Sequence, residues 1–240
     1  AAGRRFFLNM SFQNSHFSYA LPPDRPRPFQ PGEIDFDASF ARFPRDKTPI
    51  VRNAYYNAIH DCDQQLGRFI QALEACDQLD KTILVVMGEN GEAFYENGIV
   101  CHAGLPRAPA LRVGLVIHAP ALANPATIDY PTELVDVVPT VFGLLGWKSH
   151  PNFQGLDVLA DDRPDLRDRL LFFHVENPLV SSDALLYQDR WKFIHVRATD
   201  SYELFDLAED PREQENLIDR KPRLAAQLRA TLATWRAQQL

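Results

Sequence analysis

The sequence contains 240 residues, of which 45% are hydrophobic and 24% are charged, and its formal net charge is −7 at pH 7. These fractions are those of an ordinary globular protein, and the length suits one large domain or two small ones. The acidic balance argues against a nucleic-acid-binding surface, which requires a basic patch. No apolar run approaches the roughly 20 residues that span a bilayer, and no secretory signal is visible. Because residue 1 is Ala rather than Met, we expect the chain to be either a processed product or a piece of a longer protein.

The N-terminal part predicts a strand followed by a long irregular segment. Residues 5–12 (RFFLNMSF) are strongly apolar and aromatic, which is typical of a strand. A polar cluster follows at residues 13–16, and His16 is therefore a candidate site residue. The alternative is that His16 is structural. Residues 19–49 contain seven prolines, which exclude long regular elements.

Residues 48–76 predict the clearest helix. Thr48 is a suitable cap, Pro49 fits the first turn, and apolar residues recur at helical spacing on one face. Asp61 is expected on the opposite face of this helix.

A polar cluster follows the strand predicted at residues 82–87. This short run of apolar and β-branched residues ends at Gly88, which is typical of a strand buried on both faces. The residues that follow include Glu89, Asn90, Gly91, Glu92 and His102. Ligands bind at the carboxyl ends of strands in open α/β sheets, and these oxygen-rich groups suit Ca²⁺ or Mg²⁺, with Zn²⁺ allowed by the imidazole. The alternative is an ordinary turn, because Asn and Gly tolerate left-handed backbone conformations.

The rest of the chain predicts a strand and a short helix, then four short strands and a final helix. Residues 111–118 predict a strand, and Pro139 is expected to begin a short helix that ends before Gly146. Short strands at hairpin spacing are predicted at residues 170–175, 184–188, 191–196 and 202–206, with a tight turn at Asp189 and Arg190. Residues 222–238 predict an amphipathic helix. The fold class is therefore α/β: part of a mixed or parallel sheet flanked by helices, plus a small C-terminal antiparallel sheet covered by one helix.

Four separated stretches resemble the sulfatase-like enzymes of the alkaline phosphatase superfamily, in the order of that family. They are residues 54–92, which end in ENGE; residues 102–120 (HAGLPRAPALRVGLVIHAP); residues 133–146 (ELVDVVPTVFGLLG); and residues 202–217 (YELFDLAEDPREQENL). The chain resembles the C-terminal half of such an enzyme. On this resemblance, residues 1–165 would be the second half of an alkaline-phosphatase-like domain and residues 166–240 a small subdomain.

The resemblance implies a hydrolase of sulfuric or phosphoric esters with a bound divalent metal. Ca²⁺ is the first choice, with Mg²⁺, Mn²⁺ or Zn²⁺ as alternatives, and the metal would act as a Lewis acid. Glu89 and Asn90 would be metal ligands. His102 and His16 would contact the sulfuryl or phosphoryl group or its leaving oxygen, where a His can act as a general acid. Arg107 would bind the anionic ester by forked hydrogen bonds.

The sequence also departs from the family pattern. Glu89 stands where the family usually has Asp, Ala103 replaces a Gly, and Gly114 replaces a Pro. The family nucleophile, a Ser, a Thr, or a Cys in Cys-x-Pro-x-Arg that becomes formylglycine, has no motif in this sequence, and the paired N-terminal Asp ligands are also absent. We therefore expect the missing N-terminal half of the same fold to be a partner of this chain, which alone should be inactive.

Two alternatives to the hydrolase stay open. One is a membrane-anchored phosphoethanolamine or glycerophosphate transferase of the same superfamily. The other is a degenerate sulfatase-like domain that binds or regulates. The localisation is open as well, with a periplasmic or membrane-anchored extracytoplasmic position allowed. A truncated sheet would expose an edge through which chains can associate.

Overall fold

The computed structural model describes residues 5–102, 104–178 and 180–239. The chain forms two compact units, Ala1–Leu79 and Asp80–Leu240, and its architecture is mixed α/β. The α-helices of the described residues are α1 (Thr48–Ala75), α2 (Ala108–Leu111), α3 (Val137–Leu144) and α4 (Pro222–Ala237). The strands are β1 (Leu84–Met87), β2 (Ala93–Phe94), β3 (Val100–Cys101), β4 (Leu115–His118), β5 (Leu170–Glu176), β6 (Ser181–Tyr187), β7 (Trp191–Val196) and β8 (Ser201–Asp206).

Helix α1 dominates the first unit and confirms the predicted helix. Pro49 lies in its first turn as predicted, but the predicted Thr48 cap is wrong, because Lys47 is the N-cap residue and the Thr48 hydroxyl donates to the carbonyl of Arg45 at 2.7 Å. The predicted polar face is wrong at one position, because Asp61 is only 1% exposed. The Asn14 side chain donates to its carboxylate at 2.7 Å and Arg25 pairs with it at 3.5 Å, so these residues shield Asp61 from solvent.

The strand predicted at residues 5–12 is wrong. This segment pairs with no described strand, and its aromatic side chains are exposed, Phe7 by 92%. A strand requires a neighbouring backbone to satisfy its N–H and C=O groups, and apolar composition alone does not supply one.

The irregular segment at residues 19–49 is confirmed, with only the isolated Ser39–Arg42 bridge and a 3₁₀ turn (Arg45–Lys47) among its described residues. Asn57 of α1 holds this segment through two hydrogen bonds of 2.9 Å to the Phe29 backbone.

Strands β1 and β4 of the second unit pair antiparallel, with Leu84 opposite His118 and Met87 opposite Leu115. The predicted parallel pairing is therefore absent from the described residues. The connection between the two strands returns β4 beside β1 in the opposite direction. The prediction that β1 is buried on both faces is also wrong, because its residues are half-buried and Met87 is exposed. A strand is buried on both faces only where other elements pack above and below its sheet, and the half-buried residues of β1 do not have that full cover.

Helix α3 confirms the predicted short helix, although it begins at Val137 and not at Pro139, and a buried carboxylate organises it. Asp136 accepts hydrogen bonds from the backbone N–H groups of Glu133 and Leu156, both at 2.8 Å, and from Arg169 at 2.7 Å. The Thr140 hydroxyl donates to the Asp136 carbonyl at 2.7 Å. Residues 135–140 (VDVVPT) therefore attach this helix to the segment that follows it.

The C-terminal sheet confirms its prediction. Strands β5, β6, β7 and β8 form an antiparallel meander in sequence order. The β6–β7 turn is displaced by one residue, because Gln188 and Asp189 are the residues with positive φ. Helix α4 covers one face through Leu228 and Leu232, which pack into a core with other buried residues: Leu185, Phe193, Leu204, Leu217 and Ala225.

Within the described residues, no helix has the length and apolar character needed to cross a membrane. The predicted division into residues 1–165 and 166–240 stays a prediction.

Candidate functional site

The loop that follows β1 carries the predicted metal ligands, Glu89 and Asn90. The Glu89 carboxylate is exposed, and the half-buried Asn90 donates through Nδ2 to the carbonyl of Gly91 at 2.8 Å. Gly91 donates its N–H to the Ala110 carbonyl at 2.9 Å, and a Cβ at this position would lie 2.1 Å from the Pro109 carbonyl oxygen. Only glycine fits this approach, so the loop is held closely against residues 109–112.

Glu92 and His102 face each other across a short hairpin that the sequence analysis did not predict. Strands β2 and β3 pair Ala93 with Cys101, which places Glu92 and His102 at the next position of the same register. His102 Nδ1 lies 3.0 Å from Glu92 Oε2, and the two side chains are 21% and 4% exposed. A carboxylate in its ionised form only accepts hydrogen bonds, so Nδ1 is the donor of this contact when Glu92 is ionised. The carboxylate therefore fixes the orientation of the ring, as carboxylates do for functional histidines.

The hairpin tip between β2 and β3 has an unusual backbone. Tyr95, Asn97 and Gly98 all have positive φ, at 70°, 53° and 76°. The Glu96 carboxylate accepts the Phe94 N–H and closes the tip. Asn-Gly between two short apolar pairs is a hairpin signal, and it could have identified Glu92 as the partner of His102.

Arg107 lies in the segment after His102 and is buried among protein groups. Its Nη2 donates to Glu203 at 2.7 Å, its Nη1 lies 3.4 Å from Glu213, and its guanidinium stacks over Phe205 at 4.4 Å from the ring centroid. These contacts join residues 105–108 to the C-terminal sheet. The role of Arg107 in binding substrate stays a prediction.

His16 belongs to the first unit and is exposed there. Its Nδ1 lies 2.7 Å from the Phe17 carbonyl, and its ring stacks on Phe40 with a centroid separation of 5.7 Å and an interplanar angle of 7°. The neighbouring Asn14 is held by Asp61 of α1. The His16 ring is thus held by stacking on Phe40 and by the contact of its Nδ1 with the Phe17 carbonyl.

The structure brings the 89–91 loop and the Glu92–His102 pair together as consecutive parts of one unit. It describes His16 in the other unit, and Ala103 lies outside the described residues. Among the residues that are described, no group of three or more His, Cys, Asp or Glu side chains is positioned to hold a metal. Glu89 and Asn90 nevertheless offer the carboxylate and amide oxygens that hard divalent cations prefer, and their donor chemistry fits such an ion.

Residues 1–147 match the family described as Sulfatase, which is more than half of the chain. The chain belongs to the sulfatase family. Residues 106–238 of the chain also match the family described as N-sulphoglucosamine sulphohydrolase, C-terminal. The predicted resemblance is therefore confirmed.

The curated relatives are considerably longer than this chain. It is 26% identical over 212 residues to arylsulfatase K of Mus musculus, covering 81% of this chain and 38% of the relative. It is 28% identical over 172 residues to choline-sulfatase of Rhizobium meliloti (strain 1021), covering 70% of this chain and 33% of the relative. The chain thus spans between a third and two-fifths of their length.

Solved structures share the fold of this chain. A protein solved in complex with its substrate, D-glucosamine-2-N,6-O-disulfate, superimposes with a TM-score of 0.67 at 22% identity, covering 80% of this chain and 41% of that one. The phosphonate monoester hydrolase of Agrobacterium radiobacter also gives a TM-score of 0.67, at 23% identity, covering 81% and 43%.

Proposed function

We propose that this chain is the part of a sulfuric ester hydrolase that binds a divalent metal and protonates the leaving group. The observation that carries the proposal is the Glu92–His102 pair, at 3.0 Å, directly after the loop that presents Glu89 and Asn90. The family relation supports the reaction class, and the geometry of the pair supports a specific chemical role.

His102 would act as the general acid in this reaction. With Nδ1–H bound to Glu92, a protonated ring can donate from Nε2 to the oxygen that departs with the alcohol. The Glu92 carboxylate would stabilise the positive ring before transfer and keep Nε2 aimed in one direction. Proton transfer by a positioned side chain contributes about 10²–10⁴-fold to rate.

Glu89 and Asn90 would hold the metal with ligands that lie outside this chain. A divalent cation there would supply Lewis-acid stabilisation of the ester oxygens. The exposed Glu89 carboxylate can accept such a partner without first breaking a buried contact. The nucleophile and the paired Asp ligands are proposed to lie in the missing N-terminal half, which fits the share of its relatives that the chain spans.

The substrate is proposed to be a sulfate ester. Support comes from the sulfatase family match, and from the similarity to arylsulfatase K and choline-sulfatase. The phosphonate monoester hydrolase has the same fold, so a phosphoric ester is the alternative, including transfer by a membrane-anchored phosphoethanolamine or glycerophosphate transferase.

The test compares two substrates in the full-length product of the gene. His102→Gln should lower kcat/KM about 10²–10⁴-fold for phenyl sulfate, whose leaving group needs a proton, and much less for 4-nitrophenyl sulfate. Glu92→Gln should show the same pattern at about 10–100-fold. Glu74→Gln, an exposed position in α1, is the matched control and should leave both rates unchanged.

Metal content is measured on the same proteins. Glu89→Gln should reduce the bound divalent metal, whereas Glu74→Gln should not. An equal loss for both substrates in His102→Gln would overturn the general-acid role. A wild-type protein with neither bound metal nor activity would overturn the proposal of a hydrolase and favour a degenerate binding domain.

A further inference from the structure

The turn at residues 210–215 contacts the candidate site on both sides of His102. The Gln214 side chain donates to Asn97 at the hairpin tip. The neighbouring Glu213 contacts Arg107 and Ala108, in the segment after His102. This 210–215 turn belongs to the Asp-Pro-x-Glu stretch of the sequence, for which the proposed chemistry gives no role.

The Glu213 carboxylate is buried and shared by three donors. Its Oε1 accepts from Lys192 Nζ at 2.7 Å and from the Ala108 N–H at 3.1 Å, and Oε2 lies 3.4 Å from Arg107 Nη1. Arg107 Nη1 also donates to the backbone carbonyl of Glu213 at 3.3 Å. The segment after His102 is therefore attached to the turn through side-chain and backbone groups.

The 210–215 turn is itself rigidly built. Asp210 Oδ2 accepts the N–H groups of Gln214 at 2.6 Å and Glu215 at 2.8 Å. Glu213 has a φ of +56°, a left-handed conformation that is uncommon for this residue type and that aims its side chain into the cluster. Burial lowers the pKa of Lys192 to about 8, opposed by its contact with Glu213.

The hairpin needs such support because it is small. Strands β2 and β3 have two residues each, and a two-stranded hairpin is only marginally stable by itself in water. The Glu92–His102 contact depends on the register of this ladder. A misplacement of about 1 Å in a catalytic group can cost on the order of 10²-fold in rate.

We propose that Glu213 is a positioning residue for His102, and that the 210–215 turn keeps the Glu92–His102 contact formed by holding the hairpin tip and the segment after His102. The effect on catalysis rests on the proposed function of His102, whereas the effect on the contact itself does not.

The first experiment follows the hydrogen-bonded Nδ1–H of His102 by nuclear magnetic resonance in the whole chain labelled with ¹⁵N-histidine. The signal is assigned by its loss in His102→Gln. Glu213→Gln should abolish or broaden it, while Glu209→Gln, at an exposed position before the turn, should retain it. Circular dichroism and the resonances of the α4 core confirm folding.

A second variant covers the case in which Glu213→Gln does not fold. Gln214→Ala removes the exposed contact to Asn97 and leaves the buried cluster intact. It should accelerate exchange of the His102 Nδ1–H about tenfold. An unchanged signal in the folded Glu213→Gln, or an unchanged exchange rate in Gln214→Ala, would overturn the proposal.

The second experiment measures kinetics in the full-length gene product. Glu213→Gln should lower kcat about tenfold for phenyl sulfate and less for 4-nitrophenyl sulfate, with little change in KM. A role in stability alone would affect both substrates equally, and that result would overturn the proposal. A lost signal combined with an inactive wild-type enzyme would support the positioning of His102 and overturn only the proposed function.

Discussion

Lys192 is a buried lysine on which burial and a neighbouring carboxylate act in opposite directions. It is almost fully buried, and it contacts a carboxylate that Arg107 and the Ala108 N–H share. Burial disfavours the charged amine and lowers the pKa of Lys192 from its ordinary value of 10.5 to about 8, although Glu213 favours the charged form. Glu213 keeps this cation in the cluster, where loss of one partner would leave an uncompensated charge.

The Lys192 pKa predicts a pH dependence of stability. Between about pH 8 and 10.5 the unfolded chain binds the Lys192 proton more than the folded chain does, so the free energy of unfolding should rise with pH. In urea denaturation at pH 7 and pH 10, this rise should be smaller in Lys192→Met by about 1–3 kcal/mol. Lys148→Met, at an exposed position, is the control. Equal rises in wild type and Lys192→Met would contradict the prediction.

At the scale of elements, the C-terminal sheet and α4 form the best-defined core. Leu228 is almost fully buried between α4 and strands β6, β7 and β8, against Leu185, Phe193 and Leu204. Leu185, Phe193 and Leu204 lie opposite one another in the register of neighbouring strands, so they share one face of the meander.

Leu228→Ala should destabilise this core by about 2–5 kcal/mol, since the cavity cannot fully collapse. The neighbouring Gln227 is exposed on the same helix, and Gln227→Ala should change stability by less than about 0.5 kcal/mol. Chemical denaturation followed by Trp235 fluorescence measures both. A cost below about 1 kcal/mol for Leu228→Ala would mean that α4 does not pack on the sheet.

Elements with a local signal were predictable, and those defined by distant partners were not. The 28-residue α1 has apolar residues at helical spacing, and the four C-terminal strands lie at hairpin spacing along the chain. The direction of β4 beside β1 depends on the path of the intervening chain, which no local pattern records. Likewise, Asp61 looked solvent-exposed by helical spacing, but Asn14 and Arg25 cover it from far along the sequence.

The candidate site was predictable in its residue types more than in its contacts. Glu89 and Asn90 were identified by their position after a strand and do follow β1, whereas His102 follows β3, which was not predicted; the roles of all three stay predictions. The partner of His102 was missed because β2 and β3 are too short to produce a recognisable period. The contacts of Arg107 with Glu203 and Glu213 join residues about a hundred positions apart, beyond any sequence pattern.

At the scale of the whole molecule, both units expose large apolar side chains. In the first unit these include Phe6 and Phe7, and in the second they include Met87 and Val116. Within the described part of the chain, β1 and β4 pair only with each other, which leaves a sheet edge on each strand. Exposed apolar groups and open edges both favour association.

The chain should therefore associate at high concentration when studied alone. Sedimentation velocity over a concentration series should detect this, and Phe7→Lys should weaken it because a charge replaces an exposed ring without disturbing a packed core. Gln71→Lys makes the same change of charge at an exposed position of α1 and should leave association unchanged. A wild-type chain that stays monomeric throughout would contradict the prediction.

The meander also has a consequence for the order in which the molecule folds. Strands β5 to β8 pair with sequence neighbours, so their contacts close short loops, and topologies of this kind form fast. The contacts from the 210–215 turn to the candidate site span 106 residues for Arg107 and 117 for Asn97. Closing such long loops costs more chain entropy. We therefore expect the β2–β3 hairpin to reach its final conformation only after the C-terminal sheet has formed. Folding of the candidate site would then depend on prior folding of that sheet.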